Sequence, residues 1–201
     1  MLMYLLIIFI SLGIIMGVNS YLSYVGMLDY SIKYVILATF IMFLFVFAIN
    51  TICVCVPRYI CPKKSMNPEK KIYKVYKWEA KFYNKIGINK WKDKIPELGC
   101  LAGFVKTSVQ ATDDPSYLFK FAEETVYAEV MHVSSAIFGW LILLIPPYDL
   151  MFNITFWIAL VSCGLNILPI FIQRYNRPRL LRMYYRELKI RKKKEEKNEQ
   201  A

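Results

Sequence analysis

The chain has 201 residues, of which 57% are hydrophobic, 16% aromatic and 20% charged, and its formal net charge is +11. This is too apolar for an ordinary soluble domain of that length, so the composition implies a single membrane-embedded domain over residues 1–189 and a charged tail over 190–201 that is frayed or disordered. The basic excess does not imply nucleic acid: no recognisable nucleic-acid module accompanies it, and basic residues beside a membrane are drawn to anionic headgroups by about 1 kcal/mol each.

A hydrocarbon core of about 30 Å needs about 20 residues of helix. The first apolar stretch, residues 2–18, lacks a basic leading region and a small-residue cleavage site, and it is read as a retained helix. A short outer loop near residues 19–30 leads to the second span, 34–56. Pro57, Pro62 and Pro68 then break helical continuity and open a cytoplasmic insert over 57–122. Inside it, Ile72, Val75, Tyr76, Phe82, Tyr83 and Ile86 fall at helical spacing among Lys70, Lys74, Lys77, Lys81 and Lys85. The pattern predicts a basic amphipathic helix over 70–88, either lying on the membrane surface or packing on the membrane domain. Asn89, Trp91, Lys92 and Asp93 follow in a polar run that suits an anion pocket or a plain interfacial anchor. Residues 99–115 read as a loop, and Asp113-Asp114-Pro115 as the start of a helix whose free N–H groups the aspartates cap.

That helix carries Glu124, Glu129 and His132, the only histidine, just before the third span at 133–150. At about 100° per residue, with Glu124 at zero, His132 falls near about 80° and Glu129 near about 140°, so the three share one broad face. Glu123 falls near the opposite side, where it is expected to be simply solvated. Ionisable groups at membrane depth are costly, about 2.5–3.5 kcal/mol each, and face a polar cavity or a partner. Glu129 and His132 are three residues apart and can touch, and a carboxylate beside an imidazole suits the ring to take a proton from a substrate hydroxyl. No serine or cysteine is identifiably paired with His132, which favours direct attack by an acceptor alcohol. A lone histidine is also commonly structural. After a tight outer turn at Pro146-Pro147-Tyr148-Asp149, the fourth span covers 152–172 and ends in a run of three arginines, Arg174, Arg177 and Arg179. These suit bidentate binding of a phosphate or carboxylate, or equally a positive-inside stop signal. With the Lys-rich insert and the basic tail both inside, four helices place both termini in the cytoplasm. Five cysteines without a CxxC pair, and one histidine, predict no metal site.

Three motifs occur in order. They are Asn89-Lys90-Trp91-Lys92-Asp93-Lys94-Ile95-Pro96, then Glu124-Thr125-x-x-Ala128-Glu129-x-x-His132, then Asn166-x-x-Pro169-x-x-x-Gln173-Arg174-Tyr175-Asn176-Arg177-Pro178-Arg179. Together they resemble the glycosyl-4,4'-diaponeurosporenoate acyltransferase family, small bacterial membrane proteins named for esterifying a sugar hydroxyl of a carotenoid glycoside with a fatty acyl chain. The resemblance implies an all-α polytopic protein of the bacterial cell membrane, with about four transmembrane helices, a cytoplasmic amphipathic insert and its charged motifs at the cytoplasmic face. It implies acyl transfer to a hydroxyl of a lipid-linked acceptor, a glycolipid or carotenoid glycoside. His132 is then the base, with Glu129 and Glu124 orienting it or binding the acceptor. Arg174, Asn176, Arg177 and Arg179 hold the donor's anionic headgroup, Gln173 and Tyr175 belong to the same site, and Asn89, Trp91, Lys92 and Asp93 close it from the insert. No bound cofactor is expected. The expected partners are membrane lipids, the acceptor and the acyl donor; an acyl-CoA donor would bring its phosphates to the basic surface. Val133 stands where the family often has an aromatic residue, which bears on the substrate more than on the fold. The competing class is a non-enzymatic membrane assembly or lipid-binding protein whose polar motifs hold spans together. No dinucleotide fingerprint supports a nicotinamide-dependent enzyme, and the sequence carries no signal for an oligomeric state.

Overall fold

The structure, a computed structural model, describes residues 2–95 and 114–199, and among the described residues every regular element is helical. The α-helices are α1 (Leu2–Tyr24), α2 (Ile32–Cys55), α3 (Lys77–Lys85), α4 (Ile88–Trp91), α5 (Pro115–Phe138) and α6 (Phe156–Glu199). Among the described residues, four helical stretches are long and apolar enough to cross a membrane: Tyr4–Tyr24, Ile32–Ile60, Pro115–Leu144 and Tyr148–Glu199. The chain divides into two compact units, each built from two separate segments: Met1–Cys61 with Val130–Leu168, and Pro62–Glu129 with Pro169–Ala201.

In the first unit, α1 and α2 are apolar around their whole circumference, as membrane spans are. Gly26, at a φ of +74°, supplies the left-handed residue that ends α1, and Ser31 caps α2 by accepting the Tyr34 N–H at 3.3 Å. Pro57 has no N–H to donate, and the end of α2 loosens there into a π-helical turn over Val56–Ile60. The core joins Ile15, Val35, Met42 and Val46 to Ile142, Ile154 and Ile158. Asn19 ties α1 across the unit, its Nδ2 donating to the Asn153 carbonyl at 2.9 Å, and the Tyr30 hydroxyl donates to Asp149 at 2.7 Å. Phe9, Phe47 and Phe152 remain about two-thirds exposed, at 68%, 61% and 69%. Such outward aromatic surface is what a lipid-facing helix presents.

The second unit begins with 3₁₀ turns at Lys63–Met66 and Lys71–Tyr73 before α3. The amphipathic helix predicted over 70–88 is thus shortened to Lys77–Lys85, and the reason is local. The Glu79 carboxylate reaches back to accept the Tyr76 N–H at 3.1 Å, which fixes the helix start at Tyr76. Of the predicted apolar stripe, Tyr83 is buried while Ile72, Tyr76 and Phe82 are exposed. Gly87, at a φ of +62°, turns the chain between α3 and α4. Tyr83, Ile88 and Tyr175 form a small hydrophobic core, with the Tyr83 and Tyr175 rings edge to face at 6.2 Å. The helix predicted to start at Asp113-Asp114-Pro115 does start there. Asp114 accepts the Ser116 N–H at 3.2 Å, while Asp113 and the loop expected before it lie outside the described residues. At the other end, α6 carries Pro169 and Pro178 in its interior and continues through the charged tail to Glu199.

Candidate active site

In the second unit the turn of α5 before His132 meets the arginine-rich part of α6. Arg174 forms a bidentate pair with Glu79, from Nε at 2.7 Å and from Nη2 at 2.9 Å, and its Nη1 donates to Glu129 at 2.6 Å. Glu129 pairs through its other oxygen with Arg177. Two acids and two guanidinium groups therefore alternate in one row, Glu79, Arg174, Glu129, Arg177, whose formal charges cancel. Arg177 is 1% exposed, and burying a guanidinium to that degree requires that its donors be satisfied. They are: Nε donates to Thr125 Oγ1 at 3.0 Å, Nη1 to the Tyr73 carbonyl at 2.9 Å and Nη2 to the Thr125 carbonyl at 3.1 Å.

The row perturbs its members outside the spans. Burial opposes ionisation of Glu79, but the hydrogen bond from Arg174 and the Tyr76 N–H outweigh it and hold the carboxyl below its usual value. Tyr83, which donates to Glu79 at 3.2 Å, is pushed up to about 12 by burial and by the neighbouring carboxylate. A second chain of contacts joins the first and third sequence motifs. The Tyr175 hydroxyl donates to Asn89 Oδ1 at 2.8 Å, and Arg179 both donates to that hydroxyl and lies over the Tyr175 ring at 4.3 Å.

The remaining predicted residues are placed as follows. Lys92 and Asp93 pair with each other at 2.9 Å, and Trp91 donates its indole N–H to the Ile86 carbonyl at 3.2 Å. Gln173 is buried, and Asn176 and Glu124 are half-buried. His132 belongs to the first unit, where its Nδ1 lies 2.8 Å from Asn166 Oδ1. Both Glu129 oxygens are bonded by arginines of its own unit. Among the described residues no cluster of three His, Cys, Asp or Glu side chains gathers as for a metal ion.

A family model described as glycosyl-4,4'-diaponeurosporenoate acyltransferase matches residues 69–186, more than half of the chain. The chain belongs to this acyltransferase family. No curated protein and no solved structure matches it. The matched acyltransferase region contains every residue of the ionic row, together with His132 and Asn166.

Sequence reasoning missed Glu79 and gave Asn166 no role of its own. The signal for Glu79 was present. It stands between Tyr76 and Tyr83 at spacings of three and four, so it shares their helix face, and an acid on a buried face needs a cation. Tyr73 leaves no such signal, because it enters through its backbone carbonyl.

Proposed function

We propose that this protein is a multi-pass membrane O-acyltransferase that moves a fatty acyl chain onto a hydroxyl of a lipid-linked acceptor, such as a glycolipid or carotenoid glycoside. His132 acts as the general base. The observation that carries this reading is the chain's only imidazole, half-buried in a membrane-capable helix of an acyltransferase family member and anchored by Asn166. Such a group at that depth calls for a functional explanation. The acceptor hydroxyl gives its proton to the imidazole as its oxygen attacks the acyl carbonyl; the leaving group departs with that proton. Both termini lie in the cytoplasm with the basic insert.

Glu129, Arg174 and Arg177 act as the frame of the second unit, because their charges are already matched. Anion recognition then falls on the cations outside the row. An open groove of about 270 Å³ on α6 is lined by Arg179, Arg182, Met183 and Arg186, without an acid among them. Three guanidinium groups on one helix face suit the phosphates of an activated acyl donor such as acyl-CoA.

The test compares total lipid by mass spectrometry from cells making the intact chain, the His132→Ala variant at equal protein level, or neither. A species heavier by one acyl chain, found with the intact protein alone, is the expected result. Identical lipids from intact and variant strains in a host containing glycolipid acceptors would overturn the base role and favour a non-enzymatic lipid-binding protein.

A further inference from the structure

Asn166 lies one turn beyond Ser162 on α6, and its two amide atoms meet different partners. Nδ2 donates to the Ser162 carbonyl at 2.9 Å, while Oδ1 lies 2.8 Å from His132 Nδ1. A backbone carbonyl can only accept, so the amide nitrogen must be the atom that faces Ser162. The amide oxygen is thereby turned to the ring. It too can only accept, so the ring nitrogen opposite it must carry a hydrogen.

We propose that Asn166 is a positioning residue that locks the neutral His132 ring as its Nδ1–H tautomer and leaves Nε2 bare. A neutral imidazole has one protonated and one bare nitrogen, so fixing the first fixes the second. In water the neutral histidine side chain favours the opposite, Nε2–H form, so the fold selects the minority tautomer. Among the described residues, Asn166 is the ring's hydrogen-bond partner, and Nε2 has none. Ser162 is itself held, since its Oγ accepts from Asn50 Nδ2 at 3.1 Å. The carbonyl that turns the amide belongs to the α6 backbone, so the helix itself fixes the orientation that reaches the ring.

The use of this arrangement rests on the acyltransferase reading above. The acceptor O–H bond breaks and an Nε2–H bond forms. The oxygen pair makes the new ester C–O bond, the bond from the acyl carbon to the leaving group breaks, and the leaving group takes the proton back from Nε2. Throughout, Nδ1–H keeps donating to Asn166. A neutral amide favours the imidazolium less than a carboxylate would, which suits a base that must begin each cycle unprotonated.

With one histidine, the chain labelled with ¹⁵N-histidine gives one imidazole spin system, and nitrogen shifts read its tautomer directly. The measurement uses the full chain in lipid nanodiscs, carrying a tag without histidine, titrated to the pH at which the ring is neutral. Wild type is expected to show a protonated Nδ1 and a bare Nε2, and Asn166→Leu to revert to the Nε2–H form. Asn166→Asp, equal in shape, is expected to keep Nδ1–H and to raise the pH at which the ring loses its charge. In a lipid acylation assay Asn166→Leu should lose about 10- to 100-fold in turnover, part of the 10²–10⁴ that a positioned base contributes. An Nε2–H ring in wild type, or one tautomer shared by wild type and Asn166→Leu, overturns the proposal. An Nδ1–H ring in a protein whose His132→Ala variant keeps full acyl transfer upholds the tautomer and removes the base role instead.

Discussion

Glu129 is held between two cations, one of them Arg177 at 1% exposure, so it cannot be neutralised without leaving a buried charge uncompensated. Glu129→Gln is expected to destabilise the protein by about 3–5 kcal/mol, as breaking a buried pair does, and thermal unfolding in detergent measures it. An unchanged midpoint would show the row to be dispensable. Glu79 carries a pH dependence whose sign follows from Arg174. Its folded carboxyl sits below the ordinary value of 4.5, so its stabilisation is complete above that value and is lost as pH falls through the lower folded one. Glu79→Gln should therefore flatten the acid limb of a plot of thermal midpoint against pH. Tyr83 runs the other way: its phenol, raised from 10.0 to about 12, contributes below 10.0 and loses that contribution as pH climbs through the folded value. At this scale the sequence disclosed which residues carry charge but not how they pair. Helical spacing put Glu129 within reach of His132, whereas the arginines that claim it come from 45 and 48 residues away.

The long apolar helices were legible because a run of some 20 apolar residues leaves few alternatives. Their ends were less so. The span expected from residue 133 is continuous with the helix that begins at Pro115, and the polar residues Thr125 and Glu129 ahead of it are bonded by Arg177 of α6. The start of α3 hung on one side chain, Glu79, whose capping role no hydrophobic pattern reveals. Between elements of the first unit, Gly139 marks a close approach. A Cβ there would lie 3.6 Å from Ser162 Oγ and 3.9 Å from Val46 Cγ2, which is ordinary contact. Gly139→Ala should therefore be tolerated, while Gly139→Leu overfills the space and costs about 1–3 kcal/mol in the same unfolding measurement. The far end of α6 behaves differently, since residues 192–199 are exposed. Ending the chain after Arg191 should change stability by less than about 0.5 kcal/mol and leave the lipid product intact. Loss of that product would make the tail part of the function.

For the molecule as a whole, the +11 charge is concentrated in the insert and the last helix, and the proposed orientation follows from it. In a cysteine-free background, Asp29→Cys should react with an impermeant maleimide from outside intact cells, and Lys193→Cys only after permeabilisation. The reverse pattern would invert the topology and move the basic groove away from cytoplasmic donors. Three motifs in order were enough to read the family from sequence, but the separation of the neutral row from the arginine face of α6 depends on pairings across the fold. The second unit, finally, is assembled from residues 62–129 and 169–201, so its middle acids and their arginines are made far apart in time. A ribosome that has finished Glu79 must add 95 more residues before Arg174 exists. Until then both carboxylates are without their arginines, and the nascent chain holds an incomplete unit at the site of insertion. Completion of this unit is therefore a late event in biogenesis, timed by emergence of the last helix, and a chain truncated before Arg174 gives quality-control proteases an unfinished substrate.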